Sequence, residues 1–598
     1  MDLEKGEILP HSTMDNGNKH FVYQDYLVFG GMLLVSTLIG IFFAIKDRFV
    51  TGAGEFFTAN GKLGVVPVAL SMLASFLSSI TLIGQPAEAF LFGSQLWYFG
   101  ISSFLVIPIV GYIFAPFFQT KKYISAYEYF GERFNKNLQI LASTLFTIQM
   151  ILYLALVLYA PALAFHQVTG VSTMLIVSVM YAVCIFYTTV GGMKAVVWTD
   201  TFQVVVLYVA LFAVLIKGTV DIGGFSVVWN TNAMYNRTDF FNWNLDPTER
   251  YTTWSAFVGS AFLHVAFYGG NQLQIQRYLT VQTPSQARKM LWINTIGWSV
   301  VVLLTVYAGL LIFTFYINCN PFTSERITTA DELFPLYVME TFRQYPGFPG
   351  LFLAGVFSAG LSTVSTGVNS LAAIWINELK NVLFTNEMWE KRSSLIAKIL
   401  SFCFGVLSFL LVFLVPYMGG LAPVAISLSG IFTGSLFGIF CLGMFIRKAN
   451  SVGAMCGLMG SIIILLWMAT GSVIFSSPSK ESYLKLEIPV NGCTEYTALS
   501  TPTPLSPSTE TIIPSSNFSS FYRISFLWYP MLSCILTVGI GYIASIIADC
   551  TSYGSSSRAT SGHRSNNNSK TKDVDVVSLK DSEMHCIKPL LRNGCDKI

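Results

Sequence analysis

The chain has 598 residues, of which 53% are hydrophobic and only 11% charged, with a formal net charge of +3 and a mean hydropathy of +0.58. Soluble proteins carry about 25% charged residues, so this is the composition of a polytopic membrane protein. A net charge so close to zero also argues against a nucleic-acid partner.

The first twenty or so residues, MDLEKGEILPHSTMDNGNKH, are polar and carry no signal-peptide pattern. Residues 1–25 are therefore expected to form a short extracellular segment, and the first apolar helix must target and anchor the protein itself. Hydropathy predicts thirteen spans, near 26–46, 64–92, 97–118, 138–160, 172–190, 199–219, 253–272, 290–316, 346–376, 394–415, 422–446, 451–475 and 523–548. Lys121, Lys122, Arg133, Lys136, Arg277, Arg288, Lys289, Arg447 and Lys448 fall in or beside inner loops if the N-terminus is outside and the C-terminus inside. The opposite orientation leaves the inner loops poorer in Lys and Arg.

Two sequons, at Asn236 and Asn517, fall in loops that this topology makes extracellular; a third, at Asn567, falls in the inner tail and should be silent. Of ten cysteines, only Cys319 and Cys493 lie in outer loops. They are the one pair placed to form a disulfide, with two free thiols as the alternative. The stretch 476–522, rich in Ser, Thr and Pro, reads as a flexible outer loop. The tail 549–598 is disordered by composition. Its last residues, Asp596-Lys597-Ile598, could add a strand to a PDZ-type groove, although a plain solvated tail accounts for them as well.

Three spans depart from ordinary lipid-facing composition. The second contains Ser71, Ser75, Ser78, Ser79 and Thr81, followed by Gly84 and Pro86. Polar and helix-breaking residues together at mid-membrane are tolerated where backbone lines a cavity. The seventh, five spans later, contains Gly259, Ser260 and His264. Interrupted segments at matching positions of two halves point to inverted repeats, here about 64–219 and 253–446, with a binding site at the midplane.

The ninth span carries FSAGLSTVSTGVN over Phe357–Asn369. At about 100° per residue, Ala359, Ser362, Thr363 and Thr366 share one face, while Ser358, Ser365 and Asn369 form a stripe beside it. Hydroxyls and a freed helical carbonyl at that spacing suit a small hard cation such as Na⁺, whereas a transition metal would want His, Cys or carboxylate ligands. Close helix packing by small residues is the competing reading. Asp200 stands at the inner edge of the sixth span with Gln203 one turn along, and ionisable residues at such depth are usually functional. A helix-dipole role accounts for Asp200 equally well. His264 reads first as a satisfied interior histidine rather than a solute ligand, and His166, next to a loop, is a weaker candidate still; Glu88, near the outer end of the second span, reads first as a solvated residue, with a gate or interfacial role as the alternative. No catalytic triad, metal-protease or phosphate-loop pattern occurs, so nothing supports an enzyme.

The stretches ASFLSSITLIGQPAEAFLFG, AYEYFGERFNK, LYAPALAFHQVTG, GGMKAVVWTDTFQ and GLSTVSTGVNSLAA, in that order, resemble the sodium:solute symporter family over residues 24–548. The branch most resembled is that of the monocarboxylate, multivitamin and iodide transporters. The resemblance implies an all-α, LeuT-type fold of five helices plus five inverted, moving Na⁺ and solute by alternating access. It also implies a sodium site between the second and ninth spans, formed by the carbonyls of Ala74, Leu77 and Ala359 and the hydroxyls of Ser362 and Thr363. Asp200 and Gln203 match the family's polar pair near that site. Ser75, Ser78, Thr81 and Tyr153 match positions used for solute or a further Na⁺, and Ser365, Asn369 and His264 are further candidates for the solute path.

Thr81 stands where monocarboxylate carriers of the branch tend to have Thr and iodide carriers Gln. AFLFG at Ala89–Gly93, Pro423 and Gly434-Ser435 depart from the pattern of many relatives and leave the solute open. The candidate cavity residues include no Lys or Arg, so a bound Na⁺ is expected to supply the counter-charge for an anion. The implied function is Na⁺-coupled import of a small organic anion across the plasma membrane, with monocarboxylates of the lactate, short-chain fatty acid or nicotinate type first. Biotin, pantothenate or iodide-like anions are the alternative, and a Na⁺- or ligand-gated sensor without net transport is the reading from another class.

Overall fold

The computed structural model describes residues 21–46, 53–383, 386–417, 421–475 and 521–561, apart from Thr323, Glu325 and Thr328. Cys493, Asn517, Asn567, nearly all of the 476–522 loop and the C-terminal triad lie outside these residues. Regular structure among the described residues is entirely helical, as expected where backbone N–H and C=O groups must satisfy one another within a single segment. By its internal contacts the chain divides into a helical body, 1–546, and a C-terminal unit, 547–598, whose described part is the end of the last helix.

In chain order the long helices are α1 (Tyr23–Lys46), α2 (Val65–Phe76), α3 (Ser79–Phe92), α4 (Ser94–Lys121), α5 (Lys136–Thr169) and α6 (Thr173–Asp221). They continue with α7 (Ser260–Gly270), α8 (Gln272–Tyr278), α9 (Pro284–Phe315), α10 (Phe348–Leu383), α11 (Asn386–Leu411), α12 (Leu421–Phe445), α13 (Ser451–Phe475) and α14 (Tyr529–Ser561). The second predicted span is the pair α2 and α3, bent by 59°. The seventh is α7 with α8. Its backbone leaves the helix at Asn271 (φ −95, ψ 132), whereas the sequence placed the interruption around Gly259, Ser260 and His264. There the chain stays helical but widens to a π-turn over Ser255–Gly259.

Between the fifth and sixth predicted spans the chain has a kink in place of a loop. α6 comprises 49 residues in two helical stretches that meet at Gly192, enough for two crossings of the ~30 Å hydrocarbon core at about 1.5 Å per residue. It turns at Gly192, whose φ of 59 and ψ of −160 lie in a region open essentially to glycine alone. The Phe56 ring also leaves no room for a Cβ there.

α10 is the axis of the body. Its apolar window is 94% buried, against 28% for α1 and for the window Arg392–Pro416 that holds most of α11. It packs most extensively on α6. Two glycines on α10 admit α5: a Cβ at Gly360 or Gly367 would come within 3.0 Å of Leu158 or Leu154 respectively. Polar ties fix both of its ends. Asp25 of α1 accepts hydrogen bonds from the backbone of Gly347 (2.8 Å) and Gly350 (3.1 Å) at the start of α10, where a carboxylate also meets the positive end of the helix dipole. At the other end, Glu378 accepts from Lys136 (2.6 Å), Gln139 (2.6 Å) and Ser143 (3.2 Å) of α5.

Glu88 is not the solvated residue that the sequence suggested. Its carboxylate binds Arg250 at 2.7 Å and accepts from the Tyr251 hydroxyl at 2.6 Å, tying α3 to the segment before α7. Asn236 is exposed, while its neighbour Arg237 is fully buried, with its guanidinium 3.8 Å from the centre of the Phe313 ring. Cys319 is engaged in a disulfide. Peptide mapping without reductant should recover Cys319 joined to Cys493; a map joining Cys319 to any other cysteine would overturn that pairing.

Candidate functional site

The second span breaks because two residues abandon helical geometry. Leu77 (ψ 103) and Ser78 (ψ 158) are extended, so α2 ends with carbonyls that have no N–H one turn ahead to accept from. Ser78 then caps α3, its Oγ accepting from the backbone N–H of Thr81 at 3.2 Å. Opposite this break lies α10. The Thr363 hydroxyl is 2.9 Å from the carbonyl oxygen of Ala359 and 3.4 Å from that of Leu77. Ala74, Leu77, Ala359, Ser362 and Thr363 are all at most 2% exposed.

The Ser362 hydroxyl is directed at Asp200 but makes no well-formed hydrogen bond, and one oxygen of the Asp200 carboxylate, Oδ1, is likewise without a partner. Leaving such groups buried and unpaired costs about 1–3 kcal/mol each. Carbonyls, hydroxyls and a carboxylate oxygen form an all-oxygen donor set, which suits Na⁺. Among the described residues no group of three or more His, Cys, Asp or Glu comes together as a transition-metal site would require.

About one turn of α2 from the break lies a second polar cluster, centred on a residue that the sequence reading misplaced. Arg277 of α8, expected in an inner loop, is fully buried. Its guanidinium donates to Asp200 (3.2 Å), Ser71 (3.0 Å) and Thr366 (2.8 Å), to Ser75, and to the carbonyl of Leu273 (2.8 Å). Ser71 in turn donates to Asp200 at 2.5 Å, and the Ser75 and Thr366 hydroxyls are 2.9 Å apart. The expectation of a site free of Lys and Arg is therefore wrong. The sequence signal was present in Asn271-Gln-Leu-Gln-Ile-Gln-Arg277, a polar run beginning where the seventh helix breaks. Positive-inside counting took Arg277 for a loop residue because it ignores re-entry of the chain into the body. Gln274, one turn before Arg277, is also fully buried, with neither amide atom bonded.

The remaining candidates divide. Ser78 and Thr81 hydroxyls are 3.1 Å apart, and Tyr153 of α5 reaches Ser78, so these three share the α3 side of the break. Ser365 donates to the carbonyl of Ser362 at 3.0 Å. Ser358 and Asn369 are fully buried without hydrogen bonds. Gln203 belongs elsewhere: its amide donates to Ser36 of α1 at 3.3 Å, away from the Asp200 carboxylate. His264 stands in an aromatic nest, its ring centre 5.4 Å from that of Phe76 and 5.8 Å from that of Trp298. Nδ1 faces Ser102 at 3.3 Å and Nε2 has no partner. Phe76 is the last residue of α2, so this nest abuts the break.

Comparison with known proteins matches this architecture. A solved Na⁺-coupled sialic acid symporter, substrate-bound and outward-open, superposes with a TM-score of 0.69 at 22% identity, covering 88% of this chain and 98% of that one. The fold is thus of the LeuT type. Human sodium-coupled monocarboxylate transporter 1 is 36% identical over 535 residues, 88% of this chain and 87% of its own. Human sodium-coupled monocarboxylate transporter 2 is also 36% identical, over 88% of this chain and 84% of its own. A putative sodium-dependent multivitamin transporter of Drosophila melanogaster is 34% identical over 87% of this chain and 86% of its own. The model of the sodium:solute symporter family matches residues 56–461, a range that holds both broken spans, Asp200, Arg277 and the polar face of α10. The chain is a membrane transporter, and it belongs to the sodium:solute symporter family.

Proposed function

We propose that this symporter imports a small monocarboxylate across the plasma membrane, coupled to Na⁺ bound between the α2–α3 break and α10. The observation that carries the sodium assignment is the Thr363 hydroxyl, set between the carbonyls of Ala359 and Leu77. The solute class is supported by relatives at 36% identity that are named sodium-coupled monocarboxylate transporters, and by Thr81 beside Ser78 at the break.

In this reading the carbonyls of Ala74, Leu77 and Ala359 and the hydroxyls of Ser362 and Thr363 hold Na⁺. The free oxygen of Asp200 lies next to that set. Arg277 and Asp200 neutralise one another, so the pair presents no net charge to an anionic solute. Bound Na⁺ is then the uncompensated positive charge beside the solute. Ser78, Thr81 and Tyr153 supply hydroxyls to the carboxylate, and the Phe76–His264 nest meets its apolar part. One Na⁺ moving with one monocarboxylate carries no net charge, so a tenfold Na⁺ ratio alone contributes ~1.4 kcal/mol and sustains roughly a tenfold accumulation. A second Na⁺ would add ~1.4 kcal/mol from its own ratio and ~1.4 kcal/mol from about 60 mV, raising the limit to roughly a thousandfold.

Thr363→Ala should raise the Na⁺ concentration for half-maximal uptake about tenfold, as expected for loss of one oxygen facing a cation, while surface expression persists. Unchanged Na⁺ dependence in that variant would remove Thr363 from the site. Labelled lactate, butyrate, nicotinate, biotin, pantothenate and iodide, compared in Na⁺ and choline media, test the solute. Na⁺-dependent accumulation of the monocarboxylates is expected. Accumulation of biotin and pantothenate alone would favour the multivitamin reading, to which the Drosophila relative points. Ligand-evoked current without accumulation would identify a sensor.

The ion pair gives a separate test. Asp200→Asn or Arg277→Gln alone leaves a buried charge uncompensated, a loss of about 3–5 kcal/mol. Each should sharply reduce monodisperse protein in detergent extracts. The double variant should recover folded protein without recovering normal Na⁺ dependence; double-variant losses equal to the sum of the singles would refute the coupling.

A further inference from the structure

On the lipid-facing side of the body a groove of about 660 Å³ runs between α1 and the part of α6 just beyond Gly192. Its walls are apolar: Val35, Leu38 and Phe42 follow one another along α1, and Trp198 closes the α6 side. Leu38 and Phe42 are more than half exposed, and Trp198 is 44% exposed, so the groove opens outward rather than into the solute site. Two cations sit at one end. Lys46 is the last residue of α1, its ammonium held over the Phe42 and Phe43 rings at 5.6 and 5.9 Å. Lys194 lies one helical turn before Trp198 and pairs with Glu55 at 3.1 Å. Lys46 is exposed at this mouth, and Lys194 is held there beside Glu55.

The dimensions identify the occupant. From Lys46 to Val35 is eleven residues of helix, about 16 Å, which matches half of the ~30 Å hydrocarbon core. Trp198 lies near the charged end, where an indole prefers the boundary between headgroup and chain. A second groove of about 490 Å³ between α6 and α11, lined by Tyr181, Phe186, Phe402 and Phe409 among others, has no charged residue in its wall. It offers an acyl chain the same oily surface without a cation for a phosphate.

We propose that the groove between α1 and α6 is a binding site for an anionic diacyl phospholipid, its phosphate at Lys46 and Lys194 and one acyl chain along Val35, Leu38 and Phe42. The site is separate from the proposed sodium site and does not depend on it. The two are nevertheless close along the chain, because Trp198 is two residues from Asp200 and the buried face of α1, beside the groove face, carries Ser36, which is bonded to Gln203. A lipid seated here braces α1 against the turn of α6 that carries Asp200.

The test uses the full chain, purified from nanodiscs of phosphatidylcholine with or without phosphatidylserine, with bound lipid counted by native mass spectrometry. Wild type should retain phosphatidylserine in preference to phosphatidylcholine. A lysine beside an anionic headgroup contributes ~1 kcal/mol, so Lys46→Gln should lower that retention about fivefold, and Lys46→Arg should restore it. Leu38→Trp, which fills the apolar wall from a lipid-exposed position, should displace the lipid. Phe402→Trp in the uncharged groove should leave phosphatidylserine retention unchanged. Equal retention of the two lipids by wild type, or unchanged retention in Lys46→Gln, would overturn the site. Because the readout is bound lipid and not uptake, its failure is distinguishable from failure of the transport assignment.

Discussion

Two residues that refuse to be helical shape everything around them. In hydrocarbon an unpaired backbone group costs several kcal/mol, so the extended Leu77 and Ser78 can persist only against a polar surface. α10 supplies that surface, and it must itself be screened from lipid on all sides. Hence its apolar window is 94% buried, and glycines and hydroxylated residues occupy places where a lipid-facing helix would carry Leu. Close approach of α5, the extensive packing of the kinked α6 and the polar ties at both ends of α10 all serve one requirement: to keep a broken backbone away from lipid. The same freed carbonyls that would be a liability in a bilayer are what a dehydrated cation needs.

Charge at the centre obeys a similar economy. Burying a guanidinium or a carboxylate alone is prohibitive, and even a pair is favourable only when its remaining donors and acceptors are satisfied. Arg277 meets that condition with Asp200, three hydroxyls and a carbonyl. These partners come from α2, α6, α8 and α10. The cluster is therefore a point at which four elements from different parts of the chain agree on their positions, which a sheath of Leu and Val could not specify as sharply. What it leaves unsatisfied is Asp200 Oδ1 and the nearby Ser362 hydroxyl.

Much of this was legible in the sequence. Hydropathy located the helices, and the Ser- and Gly-rich composition of the second and ninth spans identified the two segments that face one another. The five motif stretches supplied the family and the fold. Other features were hidden because they depend on partners far away in the chain. The two predicted spans correspond to the two helical stretches of α6 on either side of Gly192, but nothing local in GGMKAV distinguishes a loop between them from a single-glycine kink. Arg277 looks like any loop arginine until the break at Asn271 turns α8 back into the body. Glu88 reads as solvated until Arg250 and Tyr251, more than 160 residues later, fold over it. Gln203 stands one turn from Asp200 on nearly the same helix face, yet its amide reaches Ser36 of α1, a partner that only the packing of α1 on α6 supplies.

The join within α6 has a mechanical consequence. Ordinary neighbouring spans are connected by loops, whose slack lets each tilt independently. Here two helices meet at one residue, Gly192, confined by its own backbone and by the Phe56 ring. A change of angle between the half that carries Asp200 and the half beside α11 has to be taken up at that single hinge.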